Sequence, residues 1–141
     1  MALGVINIHK GSCQCGSVQY QFTNNPFDCC YCHCSVCQKL TGSAMGAYGS
    51  VHTQDFLWTQ GEELLSLYQQ KETTTRKFCS KCGSYLITTH SADPDNLFIS
   101  LGALDSLIDS APEFRQFVGS KAVWDKYENK LPEHNEGVDW R

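Results

Sequence analysis

The chain has 141 residues, 41% of them hydrophobic and 18% charged, with a formal net charge of -4. That is enough apolar material for one domain with its own core, without crosslinks merely to stay folded. The basic residues Lys39, Lys71, Arg76, Lys77, Arg115, Lys121, Lys126 and Lys130 form no run that would neutralise a phosphate backbone, so nucleic acid is not expected as a partner, and no stretch approaches the roughly 18 apolar residues of a membrane span.

In chain order, the first ten residues lack the basic start and apolar run of a secretory leader, and the expectation is a soluble, cytoplasmic protein. Val18, Tyr20 and Phe22 alternate with Gln19 and Gln21, the period of a half-buried strand. Further strands are predicted over residues 44–51, 56–59, 64–69, 85–89, 97–102 and 114–119, separated by Gly, Pro, Asp or Asn. Helix is expected only in short turns: from Cys37 to about Leu40, near residues 53–56, and over residues 104–108. The tail from Leu131 is polar but ends in Trp140, which is expected to dock. The fold class is therefore mostly β, as a single domain over residues 1–141.

Nine cysteines are an odd number, and in a reducing compartment such clusters hold metal more often than they form disulfides. Three groups stand out: Cys13-Gln14-Cys15, Cys32-His33-Cys34-Ser35-Val36-Cys37 and Cys79-Ser80-Lys81-Cys82. Each resembles half of a zinc site, with Gly16 and Gly83 placed where a knuckle needs a free backbone dihedral. Cys13, Cys15, Cys79 and Cys82 together make a closed four-sulfur tetrahedron, a structural staple joining distant parts of the chain. By analogy with a disulfide over such a loop, closing it restricts the denatured chain by roughly 4 kcal/mol. The competing readings of Cys79 and Cys82 are a redox pair or simple buried thiols, but a redox motif usually opens a helix, and this one lies between strands.

Cys32, Cys34 and Cys37 remain, and three protein ligands leave a tetrahedral metal with an open position. His33 is a possible fourth ligand, yet in an extended segment it faces away from its neighbours. Cys29 and Cys30 are read as small residues packing within a strand. Three thiolates make zinc a poor activator of water, but they suit a soft fourth ligand. A substrate thiol bound there loses its proton and attacks an electrophilic carbon. Cys32, Cys34 and Cys37 are thus the candidate catalytic set as well as the second metal set. For a general base, only His33, His52 and Asp55 lie near in sequence, each with a packing or surface role as its competing reading.

At Gly11 to Tyr20, Cys32 to Ser43 and Arg76 to Ser84 the sequence resembles the glutathione-dependent formaldehyde-activating enzyme family, whose domain is shared with the centromere protein V group. The resemblance implies a zinc-stapled β-tent fold. It implies a closed zinc from the outer two motifs and a second zinc or open thiolate site from the middle one. It also implies carbon-sulfur lyase chemistry joining glutathione to formaldehyde as S-hydroxymethylglutathione. Lys39, Arg76 and Lys77 flank the sulfur motifs, where they could meet the carboxylates of glutathione. Two rivals are a noncatalytic zinc module that binds a protein partner and a thiol redox sensor built on Cys29, Cys30 and the triad.

Overall fold

The computed structural model describes residue 4, residues 6–126 and residues 131–136; the expected docking of Trp140 lies outside the described residues. Among the described residues, ten strands and one short α-helix follow in the order β1 (Ile8–Ser12), β2 (Gln19–Thr23), β3 (Phe27–Cys32), α1 (Ser35–Thr41), β4 (Gly46–His52), β5 (Phe56–Gln60), β6 (Leu65–Lys71), β7 (Thr74–Cys79), β8 (Tyr85–His90), β9 (Asp93–Ser100) and β10 (Phe114–Gln116). The protein is mostly β, and among the described residues no helix is long and apolar enough to cross a membrane.

The strands form two sheets, one ordered β1-β2-β5 and the other β10-β3-β4-β9-β8-β7-β6. β2 shows why the alternation works: Tyr20 and Phe22 are buried while Gln19 and Gln21 are not. They join Val18, Val51, Leu86, Ile87, Leu97 and Ile99 in one apolar cluster to which both sheets contribute. Burying each such large side chain is worth about 1.5–3 kcal/mol. Tyr20 stacks on Phe56 at 5.2 Å and meets Trp58 edge-on at 5.8 Å, so β5 closes the small sheet over the core.

The other face of the large sheet is polar, and the strand register explains how. Directly opposed residues share a face. Ser50 opposes Phe98, Phe98 opposes Thr88, and Thr88 opposes Arg76, while Cys30 opposes Tyr48 and Cys32 opposes Gly46. One continuous surface of cysteine, aromatic, hydroxyl and cationic side chains results.

Three strands escape the sequence reading. β1 is short and polar, β3 carries a bulge between Phe27 and Cys30 that breaks its alternation, and β7 turns polar residues toward the second face. The helical turn expected over residues 104–108 does not form. Leu104 instead bridges Gly11, and the amides of Asp105 and Ser106 both donate to the Lys10 carbonyl at 2.8 and 3.2 Å, so β1 takes the groups a helix would need. A 3-10 turn falls earlier, at Leu101–Ala103, ending β9 at Ser100. β10 likewise stops at Gln116, because Phe117 adopts a left-handed φ of 56°.

Candidate metal centres

Two cysteine groups converge, and each could hold a metal ion: Cys13, Cys15, Cys79 and Cys82 in one, Cys32, Cys34 and Cys37 in the other. Within each group all the sulfur atoms lie within 4.8 Å of one another.

The four-sulfur group is built from two similar turns. The Cys13 amide donates to the Val18 carbonyl at 3.0 Å, and the Cys79 amide to the Ser84 carbonyl at 3.0 Å, so each segment folds back on itself around its sulfurs. Gly16 and Gly83 take φ of 78° and 79°, a region that L side chains enter only with strain. The Gln14 amide donates to Ser84 Oγ at 2.9 Å and ties one turn to the other. Cys13 Sγ lies 3.5 Å from Cys15 Sγ, and Cys15 Sγ lies 3.9 Å from Cys79 Sγ. A tetrahedron with metal–sulfur bonds of about 2.3 Å has edges of about 3.8 Å, so these spacings fit zinc. Hydrogen bonding from the Ser84 hydroxyl and amide brings the Cys82 thiol down to about 5. The Ser17 hydroxyl and amide lower Cys15, while burial raises Cys13.

The three-sulfur group sits where β3 runs into α1. Cys32 ends the strand, Cys34 is the N-cap of the helix, and Cys37 is buried in its first turn. Cys34 Sγ accepts from the Cys37 amide at 3.3 Å. Gly42, at φ 64°, ends the helix with a left-handed cap. Burial pushes Cys37 up to about 12 and also raises Cys32. Burial acts the same way on Cys34, but the Cys37 amide, the Cys37 and Cys32 thiols and the Val36 amide outweigh it and lower this thiol. The donor set is soft and anionic once ionised, as zinc prefers.

Among the described residues no fourth His, Cys, Asp or Glu ligand atom joins the triad. His33 is fully buried, with Nε2 3.1 Å from Arg115 Nη1 and its amide donating to the Gln116 carbonyl. Cys29 is buried beneath β4: a Cβ at Gly49 would lie 3.0 Å from its sulfur. Cys30 stands on the polar face, 3.7 Å from Gln116 Nε2.

Cys30 and all three triad cysteines line a cavity of about 580 Å³ whose floor is that polar sheet face. Gln70, Lys71, Thr74, Arg76, Thr88, His90 and Phe98 form one side, and Asp28, Phe114, Gln116 and Phe117 the other. Arg76 is fixed in this wall. Its Nη1 donates to Tyr85 Oη at 2.6 Å and Thr88 Oγ1 at 3.1 Å, and its Nε to Gln70 Oε1 at 2.8 Å. Burial disfavours the charge, but the Tyr85 hydroxyl more than compensates and Arg76 stays a strong cation.

Of the residues singled out in sequence, Arg76 lines the cavity and Lys39 and Lys77 do not. His52 packs its ring at a tilt against Phe27 and bonds Asn96, and Asp55 accepts from Asn24, so neither faces the triad. Sequence reading missed Lys71, Tyr48, Thr88, His90 and Phe98, whose convergence depends on strand register and leaves no local motif.

A family model described as "Glutathione-dependent formaldehyde-activating enzyme" matches residues 8–120. A protein of Halomonas elongata named "Putative glutathione-dependent formaldehyde-activating enzyme" is 29% identical over 128 residues, covering 86% of this chain and 82% of that protein. The crystal structure of a Rhodobacter sphaeroides protein superposes with a TM-score of 0.60 at 25% identity, over 74% of this chain and 98% of that one. With both cysteine groups and the cavity inside the matched span, the chain belongs to the glutathione-dependent formaldehyde-activating enzyme family.

Proposed function

We propose that this protein is a zinc-dependent carbon-sulfur lyase-type enzyme that makes or breaks the adduct between glutathione, or a related small thiol, and an aldehyde. The observation that carries the reading is a triad of cysteines opening into a cavity with a fixed cation, Arg76, on its wall. Cys13, Cys15, Cys79 and Cys82 would hold one Zn²⁺ as a staple, and Cys32, Cys34 and Cys37 a second. Zinc bound at the triad supplies a soft Lewis acid that keeps a thiol sulfur deprotonated at neutral pH.

The cavity residues account for the rest of the recognition. Glutathione carries two carboxylates and one ammonium group. Arg76 and Lys71 offer positive charge on one side of the cavity, and Asp28 offers negative charge on the other. Arg76 is the stronger anchor because Gln70, Tyr85 and Thr88 hold its guanidinium before any substrate arrives. Phe98, Phe114 and Phe117 exclude water from the tripeptide backbone, and the volume suits a ligand of this size. A cytoplasmic setting, where reduced glutathione is abundant, suits this chemistry.

The test is NMR measurement of exchange between formaldehyde, glutathione and S-hydroxymethylglutathione, with the uncatalysed rate subtracted and zinc per chain measured alongside. Acceleration by the wild-type protein is expected, with two zinc ions per chain. A zinc-loaded protein that leaves the exchange rate at its background value would overturn the enzyme reading.

A further inference from the structure

Addition of a thiol to an aldehyde turns a carbonyl oxygen into an alkoxide, and a site that stabilises it needs a fixed donor beside the sulfur. Tyr48 occupies that place. It packs in one cluster with Cys32 and Cys37, with Cys34 and Tyr85 against it. The side chain is 8% exposed, and its buried hydroxyl has no oxygen or nitrogen partner, with the Cys37 thiol beside it. A hydroxyl buried with only a thiol beside it is costly, and Tyr48 lines the same cavity as the triad, so a ligand there can supply the missing oxygen partner.

The neighbouring residues direct it. A Cβ at Gly46 would lie 2.2 Å from Tyr48 Oη, so the absence of a side chain lets the ring lean along β4 toward Cys32, which opposes Gly46 on β3. Tyr85 meets the Tyr48 ring edge-on at 6.0 Å, and its own hydroxyl is engaged by Arg76 and Thr88. An ordinary phenol holds its proton at neutral pH, so the hydroxyl is a donor.

We propose that the Tyr48 hydroxyl donates a hydrogen bond to the oxygen on the aldehyde-derived carbon as the carbon–sulfur bond forms or breaks. The proposal rests on the thiol–aldehyde reading above. In the adding direction a sulfur electron pair forms the C–S bond and the C=O π pair moves onto oxygen. That oxygen then takes from water a proton equivalent to the one the thiol released. Tyr48 keeps its own proton throughout, and no oxidant or reductant is involved.

The experiment compares zinc-loaded wild type, Tyr48→Phe and Gly46→Ala. It measures NMR exchange rates over a range of glutathione concentrations, calorimetric glutathione affinity, zinc per chain and melting temperature. In Tyr48→Phe, kcat should fall about 100-fold while KM, glutathione affinity, zinc content and melting temperature hold. Gly46→Ala keeps the hydroxyl but displaces it, and should also lose rate. An undiminished kcat in Tyr48→Phe overturns the proposal while leaving the thiol–aldehyde reading intact. A loss of rate that tracks lost zinc or lost glutathione affinity overturns it too, since the role would then be structural. Full rate in Gly46→Ala also counts against it. A wild type without catalysis removes the underlying reading, and the role of Tyr48 goes with it.

Discussion

Arg76 shows how far one residue can be read. Its place beside Cys79 in sequence suggested a role near the sulfur motifs, but only the structure separates it from Lys77, whose neighbouring position on β7 puts it on the opposite face. Arg76→Gln should raise KM for glutathione roughly 10-fold to 100-fold, the scale of one charge-assisted hydrogen bond, with little change in kcat. Esterified glutathione provides the check, since wild type should lose on esterification what the variant has already lost. An Arg76→Gln protein that discriminates against the ester as strongly as wild type would remove Arg76 from carboxylate binding. The two extra cysteines are predicted to behave differently from the triad. Cys29 fills space under Gly49 and Cys30 faces Gln116, and neither joins the converging sulfurs. Cys29→Ala and Cys30→Ala should therefore retain full zinc content by elemental analysis of the purified protein, and loss of an ion from either would place that sulfur in a metal shell.

At the scale of elements, β3 carries most of the consequence. Between Phe27 and Cys30 it has one residue more than β4 opposite, and Asp28 absorbs the extra length at a φ of 49°. A bulge of this kind reverses which side chains face which way. With it, Cys30 and Cys32 share the cavity face; without it, Cys29 and Tyr31 would take that face and Cys32 would leave the triad. Asp28→Gly should fold at least as well as wild type, whereas deleting Asp28 should cost one zinc per chain. A deletion variant with full zinc would show that the bulge does not set the triad. The same bulge explains why β3 is illegible in sequence, since its burial does not alternate. The cysteine groups were legible because a turn brings together residues two or three apart. The cavity wall was not, because its residues come from six neighbouring strands plus β10 and meet only through register.

Across the whole molecule, the two cysteine groups have unequal structural duties. Cys13 follows β1 of the small sheet and Cys79 ends β7 of the large one, so the four-sulfur group ties the two sheets together next to their shared core. The triad joins only β3 to the helix that follows it. With a metal bound there, opening the first group would give back chain freedom worth roughly 4 kcal/mol before any metal bond is counted, a large part of the roughly 5–15 kcal/mol that holds a typical domain together. Cys82→Ser is therefore expected to abolish cooperative melting or to lower the melting temperature severely. Cys34→Ser should behave otherwise. Its hydroxyl is a poor zinc ligand, but serine is a good N-cap and can accept the Cys37 amide in place of the sulfur, so α1 keeps its start. Its expected profile is one zinc lost, a melting temperature within a few degrees of wild type, and no catalysed exchange between formaldehyde and glutathione. Calorimetric melting with zinc analysis on both variants decides the matter. If Cys34→Ser unfolds as readily as Cys82→Ser, the triad is a second staple and its sulfurs serve architecture; if it stays folded and loses the exchange reaction, the sheets are held at one site and the chemistry is done at the other.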